Sequence, residues 1–412
     1  MRRLNVRLAG PVALSILGVA IAFLLFRPLP SRAIQAPPPP CPECTPTVKA
    51  AAGHWRPAAN LSAGRARFPL TVLHNGNVLA SAGYQGPYSE VNSEVYDPGR
   101  DLWFPTGNMT GGDRVSSRMF LTATLVSDGT VLVAGGLTEP GVSLAISELY
   151  DPGTNSWSRL DDLTEPTSSH SATLLPNGKV LVAGGLDCQF VYGCDSLNSI
   201  EVYDPVTRKW SAGKDMNEPR GGHTASLLPN GRVLVTGGYH CQTGERGGTC
   251  TLLATSELYN PATDSWSSAA GLSSGRAFHS AVMLTNGNMI VIGGDDGSGD
   301  GLQANEIYDY RSNSWRSGGN MSYGRIDHAA TLLPNGKVLV TGGYETHDSF
   351  ATPLSSVELY DPATNIWTII DPLITSERGH AAALLRNGEV LVAGGYQGRE
   401  AERLSPGITH AR

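Results

Sequence analysis

Charged side chains are scarce in this chain of 412 residues. Asp, Glu, Lys and Arg make up 16% of it, and the formal net charge is -7. A protein that binds nucleic acid usually presents a basic face to the phosphates, and this sequence has no polybasic run beyond its first residues. We therefore expect no nucleic-acid partner.

Long apolar runs are absent except at the N-terminus. Arg2, Arg3 and Arg7 precede an apolar run from Leu8 to Phe26, which is the pattern of a secretory signal. The run is long for a cleaved signal and close to the ~20 residues that a membrane span needs. Residues 1–26 therefore fit either a cleaved signal peptide or an uncleaved signal anchor. Both interpretations place the rest of the chain outside the cytoplasm, secreted or anchored by this single segment.

A proline-rich stretch follows this segment. Pro37 to Pro40 favour an extended, semi-rigid spacer without a packed core. We predict that residues 27–52 are a linker and that the folded domain covers residues 53–412.

Cysteine is also scarce, and its spacing is informative. The six cysteines form three local pairs: Cys41 and Cys44, Cys188 and Cys194, Cys241 and Cys250. Locally paired cysteines behind an export signal are typical of disulfides. The C-x-x-C spacing of Cys41 and Cys44 also occurs in redox-active pairs and in halves of metal sites. No second C-x-x-C accompanies it, so we expect a structural or idle pair.

A hairpin pattern recurs seven times in the rest of the chain. In the copy from His328 to Tyr344, two apolar runs flank Asn335-Gly336, and the second run ends in a double glycine. Asn-Gly is typical of a two-residue type I′ turn, which needs two positive φ angles. The seven turns are Asn75-Gly76, Asp128-Gly129, Asn177-Gly178, Asn230-Gly231, Asn286-Gly287, Asn335-Gly336 and Asn387-Gly388.

Each hairpin precedes a third and a fourth short strand. The third carries Glu and Tyr, as in Glu358 and Tyr360, and in six copies a Trp follows seven residues after the Tyr, as Trp367 does. A four-stranded unit of about 50 residues indicates a propeller. We therefore predict an all-β, seven-bladed β-propeller. The last copy lacks its Trp, so we expect the segment around Trp55 to supply the outer strand of the C-terminal blade.

The repeated residues resemble kelch repeats. The features are R-x-x-H before the first strand, as in Arg325 and His328, a double glycine after the second, E-x-Y in the third and W in the fourth. The amino-acid sequence around each turn resembles that of the kelch domain of galactose-oxidase-like secreted proteins. That resemblance implies a copper ion held by tyrosines and histidines, with one tyrosine cross-linked to a cysteine. We call a His at the R-x-x-H position, before the first strand of a unit, the opening His of that unit. In this chain no Tyr directly precedes an opening His, and the one Tyr-His pair, Tyr239-His240, lies after a glycine pair instead. No cysteine is obviously unpaired and so available for the cross-link.

We interpret the shared residues as scaffold. The double glycines lack the Lys-Ser/Thr and following helix of a phosphate loop, so they permit close backbone approach. The Glu and Arg of each unit could form an ion pair that orients the blade. The Tyr and Trp are expected to pack between blades, and the opening His to be a hydrogen-bonded strand residue.

Function is expected on the face with the variable loops between second and third strands. Aromatic and polar residues near the glycine pairs are the candidates, unless they only cap strand ends. The candidate binding residues are Tyr84, Tyr239, His240, Asp295, Tyr344, His347, Tyr396 and Gln397. The acidic loop Asp295 to Gly301 has oxygen ligands suited to calcium, but it lacks the EF-hand spacing.

The sequence favours a non-catalytic, exported kelch-type propeller that binds an unidentified protein or glycan through its loop face. We predict no catalytic residue, no metal and no cofactor, and membrane contact only through the N-terminal segment if it stays uncleaved. The alternative is a secreted, galactose-oxidase-like or other carbohydrate-active enzyme with its site at the mouth of the central channel. A purely structural component of the cell envelope is a third interpretation.

Overall fold

The computed structural model describes residues 53–85, 92–110, 117–139, 141–189, 193–243, 248–347, 350–396 and 398–405. Every regular element in these ranges is a β-strand. The predicted targeting segment, the linker, and Cys41 and Cys44 lie outside the described residues and stay predictions. Within the described residues, no helix is long and apolar enough to cross a membrane.

The strands form seven four-stranded antiparallel sheets, which are the blades of the predicted seven-bladed propeller. The first strand of each blade contacts the first strands of both neighbouring blades around the whole ring, so the first strands line the central axis. From blade 1 to blade 7 the first strands are Leu70–Val72, Thr122–Leu125, Ser171–Leu174, Thr224–Leu227, Ser280–Met283, Ala329–Leu332 and Ala381–Leu384. The second strands are Val78–Ala80, Val131–Ala134, Val180–Gln189, Val233–Thr236, Met289–Ile292, Val338–Thr341 and Val390–Gly395.

The third and outer strands complete each blade. The third strands are Glu94–Asp97, Ser147–Asp151, Gly193–Asp204, Ser256–Asn260, Ala304–Asp309, Val357–Asp361 and Gly398–Leu404. The outer strands are Leu102–Pro105, Ser156–Arg159, Lys209–Ala212, Ser265–Ala269, Ser314–Asn320, Ile366–Ile370 and, for blade 7, Trp55–Ala58.

The ring closes as predicted. The outer strand of blade 7 is antiparallel to Gly398–Leu404, with Trp55 opposite Leu404. The Trp55 indole donates a hydrogen bond to the carbonyl oxygen of Asp371, at the end of blade 6, at 3.0 Å. Two distant parts of the chain therefore share one sheet.

The hydrophobic core lies between neighbouring blades. Between blades 5 and 6, Ile290 packs with Val340 and Tyr360. The Tyr of each third strand also contacts the Trp seven residues later, its cross-strand partner, with ring centroids 4.9 to 5.2 Å apart in the six pairs. The predicted packing role of these aromatic residues is confirmed.

The hairpin turns differ from the predicted type I′ geometry. In blade 1 the Gly76 N–H donates to the Leu73 carbonyl, and the Leu73 N–H donates to the Asn77 carbonyl. This is a three-residue loop, in which a type I turn is followed by a left-handed glycine. Gly76 has a φ of 90°. The Asn75 side chain instead accepts the Asn77 N–H at 3.0 Å, so Asn serves by its side chain and the two-residue prediction was wrong.

A buried glutamate holds each crossover, the segment through which the chain enters a blade. Glu358 accepts hydrogen bonds from the backbone N–H groups of Ser322 at 2.7 Å and Tyr323 at 3.3 Å. We call this contact the crossover clamp. The glutamates that form it are Glu94, Glu148, Glu201, Glu257, Glu306, Glu358 and Glu402.

In five blades a fully buried arginine completes the clamp. Arg325 donates to Glu358 and to the carbonyl of Gly342, both at 2.7 Å. The predicted Arg–Glu pair is therefore confirmed in these blades, and the other four pairs are Arg65–Glu94, Arg118–Glu148, Arg220–Glu257 and Arg276–Glu306. Thr167 in blade 3 and Glu377 in blade 7 occupy the arginine position.

The double glycine allows close approach between blades, as predicted. The Gly343 N–H donates to the carbonyl of Glu377 in the next blade at 2.8 Å. A Cβ atom at Gly342 would lie 2.5 Å from the same oxygen, so no larger residue fits without a backbone shift. Equivalent bonds join all seven pairs of neighbouring blades, and the one from Gly395 to Arg65 closes the ring.

Breaking one buried pair should destabilise the whole ring. Arg325→Leu leaves the buried Glu358 carboxylate without its cation, and removing one partner of such a pair costs about 3–5 kcal/mol. The control is Lys337→Ala, which breaks the half-exposed pair with Asp361 and should cost about 0–1 kcal/mol. Urea denaturation measures both, and equal losses would contradict the clamp.

Blade 7 should make stability depend on pH, because it has a carboxyl group in place of the arginine. Burial, followed by the charges of Glu400 and Glu402, raises the pKa of Glu377 to about 8. A raised pKa means that the folded chain holds the proton more tightly than the unfolded chain. The resulting stability is complete below the ordinary pKa of a glutamate, declines above it, and is gone once the pH has passed about 8.

Glu377→Gln keeps the shape of the protonated side chain and removes its titration. We expect the free energy of unfolding of this variant to fall less between about pH 5 and pH 9 than that of the unaltered chain. Identical pH profiles would show that Glu377 titrates normally.

Candidate functional site

The loops between second and third strands form β-sheet arms on the loop face of the propeller. In blade 3 the second and third strands themselves extend past a bulge. Three other blades carry separate two-stranded arms, namely Leu137–Thr138 with Val142–Ser143, Tyr239–Gln242 with Thr249–Leu252, and Tyr344–His347 with Phe350–Pro353. In these four blades the variable face is thus built from paired strands.

Two predicted disulfides stiffen neighbouring arms. Cys188 and Cys194 face each other across the blade 3 arm and are bonded. Cys241 and Cys250 do the same in the blade 4 arm. Each bond joins directly opposite residues, so it fixes the register of its arm.

A serine of the preceding blade's arm joins that arm to each of these two arms. The Ser143 hydroxyl, on the blade 2 arm, donates to the Leu186 carbonyl at 2.8 Å and accepts the Cys188 N–H at 3.0 Å. Ser196 makes the same two bonds from the blade 3 arm to the blade 4 arm. The arms of blades 2, 3 and 4 therefore form one continuous wall.

Seven residues surround the channel at the loop face, one in each blade, two positions before the first strand in blades 2 to 7 and three before it in blade 1. We call them the mouth ring, and they are Arg67, Phe120, Ser169, Gly222, Phe278, Asp327 and Gly379. All have φ between 51° and 64°. Around most of the ring, each N–H donates to the carbonyl of its counterpart in the preceding blade, as Phe120 does to Arg67 at 3.1 Å. Left-handed backbone at non-glycine residues costs about 1–3 kcal/mol each and often marks a functional site.

Side chains of the mouth ring meet across the channel. Arg67 forms an ion pair with Asp327 at 2.8 Å, and its guanidinium lies 4.5 Å from the ring centroid of Phe120. The Phe120 and Phe278 centroids are 5.9 Å apart, and the Tyr239 ring lies 5.4 Å from Phe278. The mouth thus combines one ion pair with a chain of three aromatic rings.

A cavity of about 330 Å³ lies at the mouth ring. Its lining includes the five opening histidines, which are His170, His223, His279, His328 and His380. The Nε2 atoms of four of them bond to a hydroxyl group of the preceding blade, as His223 does to Ser171 at 2.9 Å. The predicted structural role is confirmed for these four. For His328, neither ring nitrogen has a partner among the described residues.

Burial holds these imidazoles uncharged. It lowers the pKa of His170 and His380 to about 4 and that of His223 and His328 to about 3, with nearby arginine charges adding to the effect. At neutral pH these histidines therefore make the cavity polar but add no positive charge to it.

Five predicted binding residues occupy one equivalent position, directly after the glycine pair or its Ala-Gly counterpart. They are Tyr84, Tyr239, Asp295, Tyr344 and Tyr396. The backbone of each pairs with the residue before the mouth ring. They consequently lie beside the mouth ring, where their use in binding stays a prediction.

These five side chains are less exposed to solvent than the side chains of a flat binding surface would be. Tyr84, Asp295 and Tyr344 are buried, and the other two are half-buried. The Tyr239 hydroxyl donates to Asp295 at 2.7 Å. Burial, with the neighbouring Asp295 carboxylate, raises the pKa of Tyr239 well above its ordinary value. Within this group, Tyr239 packs against the mouth-ring residue Phe278.

The remaining predicted residues lie elsewhere or outside the described part. His240 is half-buried on the blade 4 arm, where its Nε2 lies 3.1 Å from the Gln242 amide nitrogen. The backbone of His347 belongs to the blade 6 arm, and its side chain is outside the described part. Gln397 lies outside the described residues.

Sequence reasoning missed the mouth ring. From the sequence alone, the residue before each opening His bears only on a tyrosine ligand for copper, and no Tyr is found there. The sequence does contain a signal for the mouth ring, because one position in an otherwise regular repeat changes from Arg67 to Phe120, Gly222 and Asp327. A position that varies in charge and size inside a constant frame is typical of a recognition site.

The residues at the mouth do not fit the copper site that a galactose-oxidase-like protein implies. Four of the five histidines bond to hydroxyl groups through Nε2, no tyrosine is among the described residues that line the cavity with them, and every cysteine among the described residues is in a disulfide. No group of three or more His, Cys, Asp or Glu in the described ranges is arranged to hold a metal ion. In the acidic loop, Asp295 accepts hydrogen bonds from Tyr239 and from the Gly297 N–H. We therefore derive no step through copper.

Comparison with known proteins identifies the repeats. The family model "Attractin/LZTR1 beta-propeller" matches residues 95–301, and "KLHDC2/KLHL20/DRC7 Kelch-repeats domain" matches residues 222–405. Human Kelch-like protein 23 is 28% identical over 217 residues, which are 52% of this chain and 35% of that protein. An F-box/kelch-repeat protein of Arabidopsis thaliana is 38% identical over 147 residues, 34% of this chain and 35% of that protein. The chain thus spans about a third of the length of these relatives.

Solved structures share the fold. A fungal alcohol oxidase of the AA5 family, in complex with copper, has a TM-score of 0.69 at 21% identity, covering 86% of this chain and 76% of its own. The structure of YjhT has a TM-score of 0.57 at 17% identity, covering 76% of this chain and 99% of its own. At these identities the likeness concerns the fold alone. With both family models and the clamp repeated in seven blades, this chain belongs to the kelch-repeat β-propellers.

Proposed function

We propose that this chain is an exported, non-catalytic recognition module that binds a partner protein at its mouth ring. One observation carries the proposal. The seven mouth-ring residues share one backbone conformation, while their side chains range from glycine to phenylalanine, arginine and aspartate. A fixed frame with variable side chains is how rigid scaffolds usually present a binding site.

The named relatives favour a protein as the partner over a glycan. They include Kelch-like protein 23 and F-box/kelch-repeat proteins, and the chain matches only part of each. The wall formed by the arms of blades 2, 3 and 4 gives a partner a stiff surface beside the mouth. A preorganised surface favours binding because little conformational entropy is lost on association.

Export is the second part of the proposal. It rests on the basic and apolar N-terminal segment and on two disulfides, which persist in oxidising compartments. Recovery of the chain only from the reducing cytoplasm, with thiols at Cys188 and Cys241, would overturn it.

Peptide selection tests the binding site. A library of random peptides displayed on phage is selected on the full chain and then measured against Phe278→Ala. The fold should tolerate this variant, because Gly222 occupies the same position in blade 4 and Ala82 adopts a comparable φ of 51°. We expect the selected peptides to bind the variant roughly tenfold or more weakly, as for the loss of a central aromatic anchor.

The matched control is Ile366→Ala, which shortens an exposed side chain on the outer strand of blade 6. Peptides that bind the control variant more weakly, or that bind Phe278→Ala as tightly as the unaltered chain, would show that the binding site lies elsewhere.

A glycan array probed in parallel distinguishes a glycan ligand from a protein ligand. If a glycan binds in a Phe278-dependent way and no peptide is selected, the ligand is a glycan and the proposed protein partner is wrong. Stoichiometric copper in the purified chain would contradict the non-catalytic assignment.

A further inference from the structure

The mouth ring carries two aromatic side chains, Phe120 in blade 2 and Phe278 in blade 5. Phe120 and Phe278 meet at 31° between ring planes, and Tyr239 packs edge-on against Phe278 at 64°. Both phenylalanines are half-buried, and both line the cavity. Tilted and edge-to-face ring pairs contribute about 0.5–1.5 kcal/mol beyond the burial of their area. A further ring entering from the partner would extend this chain of contacts.

The charged side chains of the mouth ring compensate each other. Arg67 donates from Nε at 3.1 Å and from Nη2 at 2.8 Å to the same carboxylate oxygen of Asp327. The neighbouring Asp295 carboxylate accepts hydrogen bonds from the Tyr239 hydroxyl and from the Gly297 N–H. Within the mouth ring itself, the charges of Arg67 and Asp327 therefore neutralise each other.

The size of the cavity limits what enters it. At about 330 Å³ it lies at the lower end of the roughly 300–1,000 Å³ typical of small-molecule sites. That space suits one side chain or one small ring. The uncharged histidines beneath it add no positive charge that would select an acidic group.

We infer that the mouth ring binds an uncharged aromatic side chain, from phenylalanine, tyrosine or tryptophan, presented by the partner protein. The inference rests on the proposed function and names the residue class that the site selects. A charged side chain would lose its hydration in the cavity, where the charged residues of the described lining, Arg67 and Asp327, are already paired with each other, and this loss is costly. A sugar ring also stacks on aromatic faces, and the test below separates it from a side chain.

Small probes test the selectivity on the full chain. Saturation-transfer NMR measures the affinities of the N-acetyl amides of phenylalanine, tyrosine, tryptophan, leucine, aspartate and lysine, together with methyl β-glucoside. We expect the three aromatic amides to bind roughly tenfold or more tightly than the charged amides and the glucoside. Phe278→Ala should weaken the aromatic amides by roughly tenfold, since it removes the central ring.

A second variant tests the role of charge compensation. Asp327→Asn keeps the shape of the side chain and leaves the Arg67 charge uncompensated. Aspartate amide should then gain roughly threefold or more in affinity, while phenylalanine amide stays within about twofold. The control is Asp361→Asn, which breaks the Lys337 pair of blade 6 and should change no probe.

Several outcomes would overturn the inference. In the unaltered chain, these are tighter binding of the glucoside or of a charged amide than of the aromatic amides, or no binding of any probe. In the variants, they are aromatic amides that bind Phe278→Ala with unchanged affinity, or an aspartate amide whose affinity does not rise in Asp327→Asn. Failure of the proposed function is distinguishable from these. Selected peptides that require Phe278 but carry no aromatic residue would refute only the aromatic preference, whereas the absence of Phe278-dependent peptides would refute the site itself.

Discussion

The hydrogen bond from a crossover backbone to a buried third-strand glutamate is the contact on which the propeller depends. Each blade packs its apolar faces against its neighbours, but apolar packing alone does not fix how one blade is placed relative to the next. The clamp does so by tying the segment that enters a blade to a carboxylate at the heart of that blade. A buried carboxylate is tolerated only when it is fully bonded, so the clamp admits one geometry.

That constraint separates scaffold from recognition. The glutamate in all seven blades, with the arginine, double glycine and Tyr–Trp pair in most of them, holds the backbone of each blade in an equivalent place. The residue that this frame delivers to the channel mouth is then free to vary, and it does so from Gly379 to Phe120. Blade 7 shows how far the frame itself tolerates change, because Glu377 replaces the arginine while Glu402 still clamps its crossover. The fold is common to many proteins, so function depends on the side chains that the fold positions at the mouth and not on the fold itself.

Much of the fold was predictable because its signals are local and repeated. Turn glycines, the Glu-x-Tyr strand and the spacing of Trp55 predicted the seven blades and the closure, and the local pairing of cysteines predicted both described disulfides. The turn type was missed because the Asn75 side chain, rather than its backbone, shapes the loop. The contacts within the mouth ring, such as Arg67 with Asp327, 260 positions apart, could not be predicted because they leave no local pattern in the sequence. Burial of Tyr84 and Tyr344 likewise depends on neighbouring blades, which sequence spacing does not report.

Amide hydrogen exchange of the full chain tests the central claim most directly. Ser273 and Ser322 are exposed residues in crossovers, and their N–H groups donate to Glu306 and Glu358. The clamp predicts that both amides exchange slowly despite this exposure, and that Glu306→Ala accelerates Ser273 far more than Ser322. Rapid exchange of both amides in the unaltered chain, at the rate of an open loop, would contradict it.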